Sequence, residues 1–426
     1  MIRRLLVDVS PLRDSRDYRA IYLGQLVSVV GRQLTIVASS LQVFLLTDSS
    51  LAVGLLSAVQ LGPLVVGSLV GGTIADAYDR RTVLIWTQLG MAVTSVGLAV
   101  NASVASPALW PVFVCTAVAA GLSGIDAPTR SAAIPSLVGL DQIPAAAALN
   151  QTGFHIALII GPSLAGLAIA RVSLSAAYWI DVGTFAIALL SVLVVRPLLP
   201  EGGGTKAGLR SLREGLGYLR RQRAIQGSFL IDINAMLFGM PRALFPELGL
   251  TQFGGDAQTV GLLYAAPGIG ALLAAVTTGW VTHVRRQGRA VILAVVAWGA
   301  AIAVFGLVTV LWLGVALLAL AGAADVVSAV FRTTILQLQV PDRLRGRLNA
   351  VNIAVVAGGP RLGDLEAGAV AAVTSPRVSV VSGGVACVVG AGIIARLIPE
   401  LAAWRAPPGG ATERHPVDEI AVDAEG

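Results

Sequence analysis

A chain of 426 residues that is 55% hydrophobic and only 13% charged cannot bury its apolar surface by folding in water, where ordinary domains carry about 25% charged residues. With a mean hydropathy of +0.79, the composition excludes a soluble globular domain and makes lipid the natural solvent. The net charge of +6 comes from 29 arginines and one lysine, Lys206, against 24 acids, and its placement speaks to topology.

Residues 1–19 hold five arginines, and the first long apolar run starts near Tyr18. That run is too long for a cleavable leader and reads as the first membrane helix. Crossing a bilayer takes roughly 20 mostly apolar residues. Twelve segments meet that need, at 18–47, 51–75, 82–101, 107–130, 142–170, 174–195, 225–249, 258–282, 289–310, 311–333, 346–373 and 377–398. Internal Gly and Pro are tolerated in such helices, and 48 glycines suit close packing through small side chains. Cys115 and Cys387 each lie inside an apolar run and read as packing residues, with no disulfide framework.

The basic residues alternate in step with this count. If the N-terminus is cytoplasmic, the cytoplasmic intervals hold 25 of them and the external loops hold two, Arg171 and Arg377. Arg32, Arg242 and Arg361 lie within spans. Such an imbalance predicts both termini inside. The basic loops are short and lack interleaved aromatics, so no nucleic-acid partner is expected. The longest internal polar interval divides six spans from six. The expected organisation is a first half at 1–199, a cytoplasmic loop at 200–224, a second half at 225–400 and a disordered cytoplasmic tail at 401–426. Within the loop, Gly202 to Gly204 read as a joint and 209–218 as an amphipathic surface helix.

The halves echo one another. "VGLL" at Val53–Leu56 returns at Val260–Leu263, and at the same offset Gly72 meets Gly279 and Asp76 meets His283. Asp126 and Asn150 meet Asp325 and Asn349, and Gly161–Pro162 is echoed by Gly359–Pro360. Matched positions fall in matched spans. Two parallel six-helix repeats form the pattern in which a substrate site lies between halves that rock against each other.

Three stretches carry a family resemblance: "GGTIADAYDRR" (71–81), "VGLLYAAPGIGALLAAVTTG" (260–279) and "TTILQLQVPDRLRGRLNAVN" (333–352). Through them the chain resembles the major facilitator superfamily, in the exporter branch that includes the enterobactin exporter and macrolide-efflux-like proteins. The resemblance implies an all-α integral membrane protein with 12 transmembrane helices in two pseudo-symmetric halves.

In the first stretch Gly72, Asp76, Arg80 and Arg81 match the superfamily's loop motif between spans two and three, while Ala77 and Asp79 depart from it. Gly72 is expected to let two helix backbones approach. The Asp76 carboxylate can meet the positive end of a neighbouring helix, and the resemblance pairs Arg80 with Asp126. Together they would latch the cytoplasmic helix ends in the outward-open state; topogenic charge is the plainer reading. "GPSLAG" (161–166) resembles the superfamily's antiporter motif. Pro162 bends span five by removing one hydrogen bond, and Gly166 makes room for a neighbour. The arginine that antiporters carry early in span four is absent here, since 111–124 holds no charge.

Ionisable groups inside a span are costly and mark function. Arg32 lies in mid-span one beside Gln33, and Asp181 in outer span six. Asp232, Asn234, Arg242 and Glu247 spread along span seven, and Arg361, Asp364 and Glu366 crowd span eleven. Arg32 and Arg361 suit an anionic substrate such as a catecholate, and Asp232, Asp364 or Glu366 suit a coupling proton. Mutual pairing is the alternative, with Arg361 and Asp364 three apart on one face. His155 reads as a hydrogen-bonded packing residue.

No phosphate-binding loop, metal-ligand cluster or nucleophile elbow occurs, so no cofactor, metal or enzyme activity is expected. The function expected is a secondary exporter, driven by protons, of an amphipathic small molecule. A siderophore leads, with multidrug or macrolide efflux as the alternative. The expected setting is a monomer in a bacterial inner membrane, surrounded by lipid.

Overall fold

In lipid every backbone N–H and C=O must pair within its own segment, so long apolar runs become helices. The computed structural model describes residues 8–199, 217, 222–277, 281, 284–340 and 342–406, and it contains no strand among them. The spans are Arg16–Thr47, Ser50–Ala77, Arg80–Ser103, Leu109–Leu137, Ile143–Arg171, Leu174–Leu193, Arg223–Gln252, Ala257–Val276, Gln287–Phe305, Leu311–Gln339, Asp342–Val373 and Pro376–Leu397. All but Asp342–Val373 are apolar enough throughout to cross a membrane on composition alone, which makes eleven. The remaining one is a continuous helix of 32 residues that carries Arg361, Asp364 and Glu366. Lys206, Gly202 to Gly204, most of 209–218 and His283 lie outside the described residues.

Local chemistry sets the helix ends. Ser15, Ser49, Asp79, Ser173, Asp256 and Ser375 each accept a backbone N–H in the first turn of the helix that follows, satisfying donors that have no intrahelical partner. Spans four and ten run on to Leu137 and Gln339. That extension places Arg130 and Arg332, which read as loop charges in the sequence, on helices as largely buried groups.

Span seven is broken. Its regular helix stops at Phe238, and Gly239, Pro241 and Pro246 interrupt the ladder before short 3-10, α and π turns carry the chain to Gln252. Its freed groups find partners on other elements. Trp298 Nε1 donates to the Gly239 carbonyl at 2.8 Å, Tyr264 Oη donates to the Arg242 carbonyl at 2.9 Å, and the Ala243 N–H donates to Asp364 at 3.2 Å.

Outward-facing apolar side chains abound. Trp86, Trp110 and Trp312 are exposed, as are Val93, Leu190 and Leu293, as expected of a surface that meets lipid. Inside, each set of six spans has its own apolar core. One forms around Tyr18, Ala133, Leu149 and Val195, the other around Ile231, Trp298, Phe305 and Phe331. Pro399–Ala403 forms a short helix under spans seven and nine, and the Ala406 N–H donates to the Arg285 carbonyl at 2.9 Å. The tail is therefore ordered through Ala406, where the sequence suggested disorder from 401.

The two sets meet along two seams, span two with eleven and span five with eight. A β-carbon at Gly54 would lie 2.5 Å from the Asp364 carbonyl oxygen, and one at Gly261 would lie 2.5 Å from that of Pro162. The repeated "VGLL" thus has a physical cause: its glycine is where one half's backbone touches the other's. Both contacts lie on the side remote from the chain termini. On the terminal side span eleven barely touches Leu61–Ala77, and Leu273 and Val276 at the end of span eight are exposed. The halves are closed on one side and splayed on the other.

Candidate functional site

The turn after span two is built around Asp79. Its carboxylate accepts from the Leu198 N–H at 2.6 Å, from the Arg81 and Thr82 N–H groups and from Thr82 Oγ1. Burial acts to raise this carboxyl, but the hydrogen bonds from Thr82, Leu198 and Arg81 outweigh it and hold it below the ordinary carboxylate value. Arg81 reaches the last carbonyls of span six, donating to Leu193 at 2.7 Å and to Val192 at 3.4 Å, where a helix end favours a cation. Arg80 donates to the Ala75 carbonyl and to Ser136 Oγ, both at 3.3 Å. The turn therefore clamps spans two, three, four and six of one half.

Two expectations are corrected here. Arg80 does not meet Asp126, which is taken by Arg130. Gly72 has open space around it, and the close approach falls at Gly71, where a β-carbon would lie 2.7 Å from the Ile125 Cα of span four. Asp76 is exposed and has no partner among the described residues. Asp79→Ala removes the cap and the tie to Leu198, with an expected cost of about 1 kcal/mol, read as a lower thermal unfolding midpoint. Because this carboxyl titrates low, its contribution is present at neutral pH and is lost as pH falls through its depressed value. An unchanged midpoint in the variant would refute the clamp.

The charges of the first half form one network. Asp126 and Arg130 on span four are four apart, on one face. They pair through two hydrogen bonds of 3.1 and 3.0 Å, and Asp126 also accepts from Thr87 and Gln88 at 3.0 Å each. Arg32 donates from Nη1 to Ser123 at 2.8 Å. Arg32, Gln88, Asp126 and Arg130 line a recess of about 200 Å³, with Met91 and Phe185 among its apolar walls. Asp181 lies deeper, fully buried, and accepts from Thr35 at 2.6 Å, Ser95 at 2.7 Å and Thr184 at 3.2 Å.

Gly161 brings span five onto span one, where its β-carbon would meet Gln33 Cβ at 2.4 Å. The Pro162 carbonyl and Gly166 face Gly261 across the second seam. His155 packs edge-on to Phe154, and its Nδ1 has no hydrogen-bond partner among the described residues, contrary to the expected role.

In the second half Asp232 forms an ion pair with Arg332 of span ten, whose other neighbour is Asp325 at 3.9 Å. Asn234 donates to the Cys387 carbonyl of span twelve at 2.8 Å. Both side chains therefore turn into their own bundle rather than between the halves. Asp364 is buried and accepts from Arg242 at 3.3 Å. It does not pair with Arg361, which donates to the Ala357 carbonyl at 2.6 Å. Glu247 accepts from Ser50 across the halves, and Glu366 has no partner among the described residues.

The charges of Arg361, Arg242 and Arg32 act on one another where the halves meet. Sequence reading missed Arg130, Asp325 and Arg332 as site members. The spacing of Asp126 and Arg130 was a usable signal for the first of them.

Comparison with known proteins adds three findings. The profile of the family described as transmembrane secretion effector matches residues 7–424. The enterobactin exporter EntS of Citrobacter koseri is 30% identical over 403 residues, spanning 95% of this chain and 97% of that protein, and EntS of Shigella boydii is 28% identical over the same spans. Among solved structures, a bacterial homologue of the human lysosomal transporter Spinster, inward-facing and unoccupied, superposes with a TM-score of 0.74 at 13% identity, covering 94% of this chain and all of that one. A mutant of the nucleoside transporter NupG superposes with a TM-score of 0.73 at 13% identity, covering 91% and 99%.

Proposed function

Because the chain belongs to the transmembrane secretion effector family of major facilitator transporters, and is thus a multi-pass membrane exporter rather than an enzyme, we propose that its cargo is an anionic, amphipathic siderophore of the enterobactin kind. Transport runs by alternating access and is coupled to protons. The observation that carries the cargo class is Arg32. It is a mid-span guanidinium with a single hydrogen bond to Ser123, placed on a recess where the charges of Arg242 and Arg361 also act. A cation inside a span needs an anion, and Asp364 and Asp126 are already engaged by Arg242 and Arg130.

The halves at 1–199 and 225–400 are the rocking units. The conformation described here opens on the side of the chain termini, which the distribution of arginines assigns to the cytoplasm of a bacterial inner membrane. In this state Asp76 stands free of partners among the described residues, as suits a latch that engages only when the terminal side closes. The protein works as a monomer in lipid. The coupling proton resides on Asp232 or Asp364, the two buried acids of the second half that each share an arginine.

Efflux from everted vesicles, with and without a pH gradient, tests the proposal. A catecholate siderophore is expected to move only with the gradient, and Asp232→Asn or Asp364→Asn to uncouple it. Gradient-independent movement sinks the coupling. Movement of macrolides and several unrelated antibiotics without the siderophore would replace the cargo with a multidrug reading.

A further inference from the structure

The recess in the first half has a more specific chemistry than positive charge. Its wall is made by one face of span one, through Ser28, Val29 and Arg32, and by one face of span four, through Asp126 and Arg130, with Gln88 of span three at its floor. Asp126 is saturated by Arg130, Thr87 and the Gln88 amide N–H. That orients the Gln88 side chain so that its only remaining group is the carbonyl oxygen. This Oε1 is buried and has no hydrogen-bond partner among the described residues. Gln88 as a whole is 1% exposed. Arg32 spends one N–H on Ser123 and keeps further donors. The recess therefore offers a donor fork and a lone acceptor, with an overall charge of one positive unit from two arginines and one aspartate.

A plain carboxylate or phosphate answers the fork and leaves Oε1 unpaired. A neutral alcohol answers Oε1 and leaves the fork. Both are answered by an oxyanion with a hydroxyl on the adjacent carbon. Size narrows the class further. A cavity of about 150 Å³ holds one benzene ring, so a recess of about 200 Å³ holds one substituted ring and not several. Val29, Met91 and Phe185 supply apolar walls for its faces.

We propose that this recess is a subsite for a single singly ionised ortho-hydroxy aromatic ring, held by Arg32 through its oxyanion and by Gln88 Oε1 through its hydroxyl, and that it lies wholly within the first half. It rests on the reading of the protein as an exporter of an anionic siderophore, and it assigns one arm of that cargo to one half. The second half contributes no matching pocket from its symmetry-related charges, because Asp232 and Arg332 neutralise one another.

The test uses the full-length protein in nanodiscs and two small probes, 2,3-dihydroxybenzoate and benzoate, followed by calorimetry. The expected result is at least about tenfold tighter binding of 2,3-dihydroxybenzoate, the effect of one added hydrogen bond to a buried group left unpaired by benzoate. Gln88→Met is expected to erase that preference while retaining both ligands, and Arg32→Gln to abolish both. Unfolding midpoints of the two variants check that the fold survives, and Arg32→Lys, which keeps the charge, is expected to recover part of the binding. Equal binding of the two probes by the parent, or a preference that survives Gln88→Met, overturns the subsite. Whole-siderophore efflux separates this from the transport reading. Efflux without single-ring binding condemns the subsite alone, and ring binding without efflux condemns the transport reading alone.

Discussion

Gly261→Leu is expected to lower efflux by about tenfold or more, within the 5- to 150-fold span of coupling effects worth 1–3 kcal/mol, while the protein remains folded. The reason lies in the seam between spans five and eight. A β-carbon at Gly261 would sit 2.5 Å from the Pro162 carbonyl oxygen and 2.9 Å from the Gly166 Cα. Both obstacles are backbone, so no flexible side-chain end can swing aside. Overpacking of this kind costs about 1–3 kcal/mol. The cost falls only on the state in which the seam is shut, because each half keeps its own core around Tyr18 and Leu149 or around Trp298 and Phe331. Gly54→Leu should act the same way through the Asp364 carbonyl. Gly183→Ala, with nothing within 4 Å, is the control and should be silent. Efflux rates, together with labelling of a Ser50→Cys thiol by a membrane-impermeant reagent, read the outcome. Parental efflux in both leucine variants would show that the seams do not gate transport.

The second large effect concerns stability. Asp232→Leu strands Arg332 in the second bundle with only Asp325, 3.9 Å away. Removing one partner of a buried pair costs about 3–5 kcal/mol. For a bundle of this size that is a fall in unfolding midpoint of roughly 10 °C. The double variant Asp232→Leu, Arg332→Met takes out both charges and should recover most of the loss, since an apolar pair of similar volume is often as stable. A double variant no more stable than the single one would mean that the pair is not what holds these helices together.

The fold was largely legible in the sequence, because the lipid constraint acts residue by residue: apolar length, charged turns and basic loops each leave a local mark. The halves were legible too, and the repeat that revealed them turns out to sit on the seams between them. The charge partners were not. Gly72 and Gly71 differ by one position, which on a helix is about 100° of rotation, and no loop motif resolves that phase. Arg332 read as a loop charge because span ten continues well past the length that lipid demands. Arg361 and Asp364 have the right spacing to pair, yet the break in span seven presents Arg242 and the Ala243 N–H to Asp364 instead. Such choices depend on where a neighbouring helix is interrupted, which only the assembled bundle decides.

The seams are closed by the absence of atoms. Every base change that alters the amino acid encoded by a glycine codon adds bulk, so Gly54 and Gly261 can drift only towards a wedge. Among natural variants of this chain these two sites should stay fixed while lipid-facing positions such as Leu293 wander freely among apolar residues.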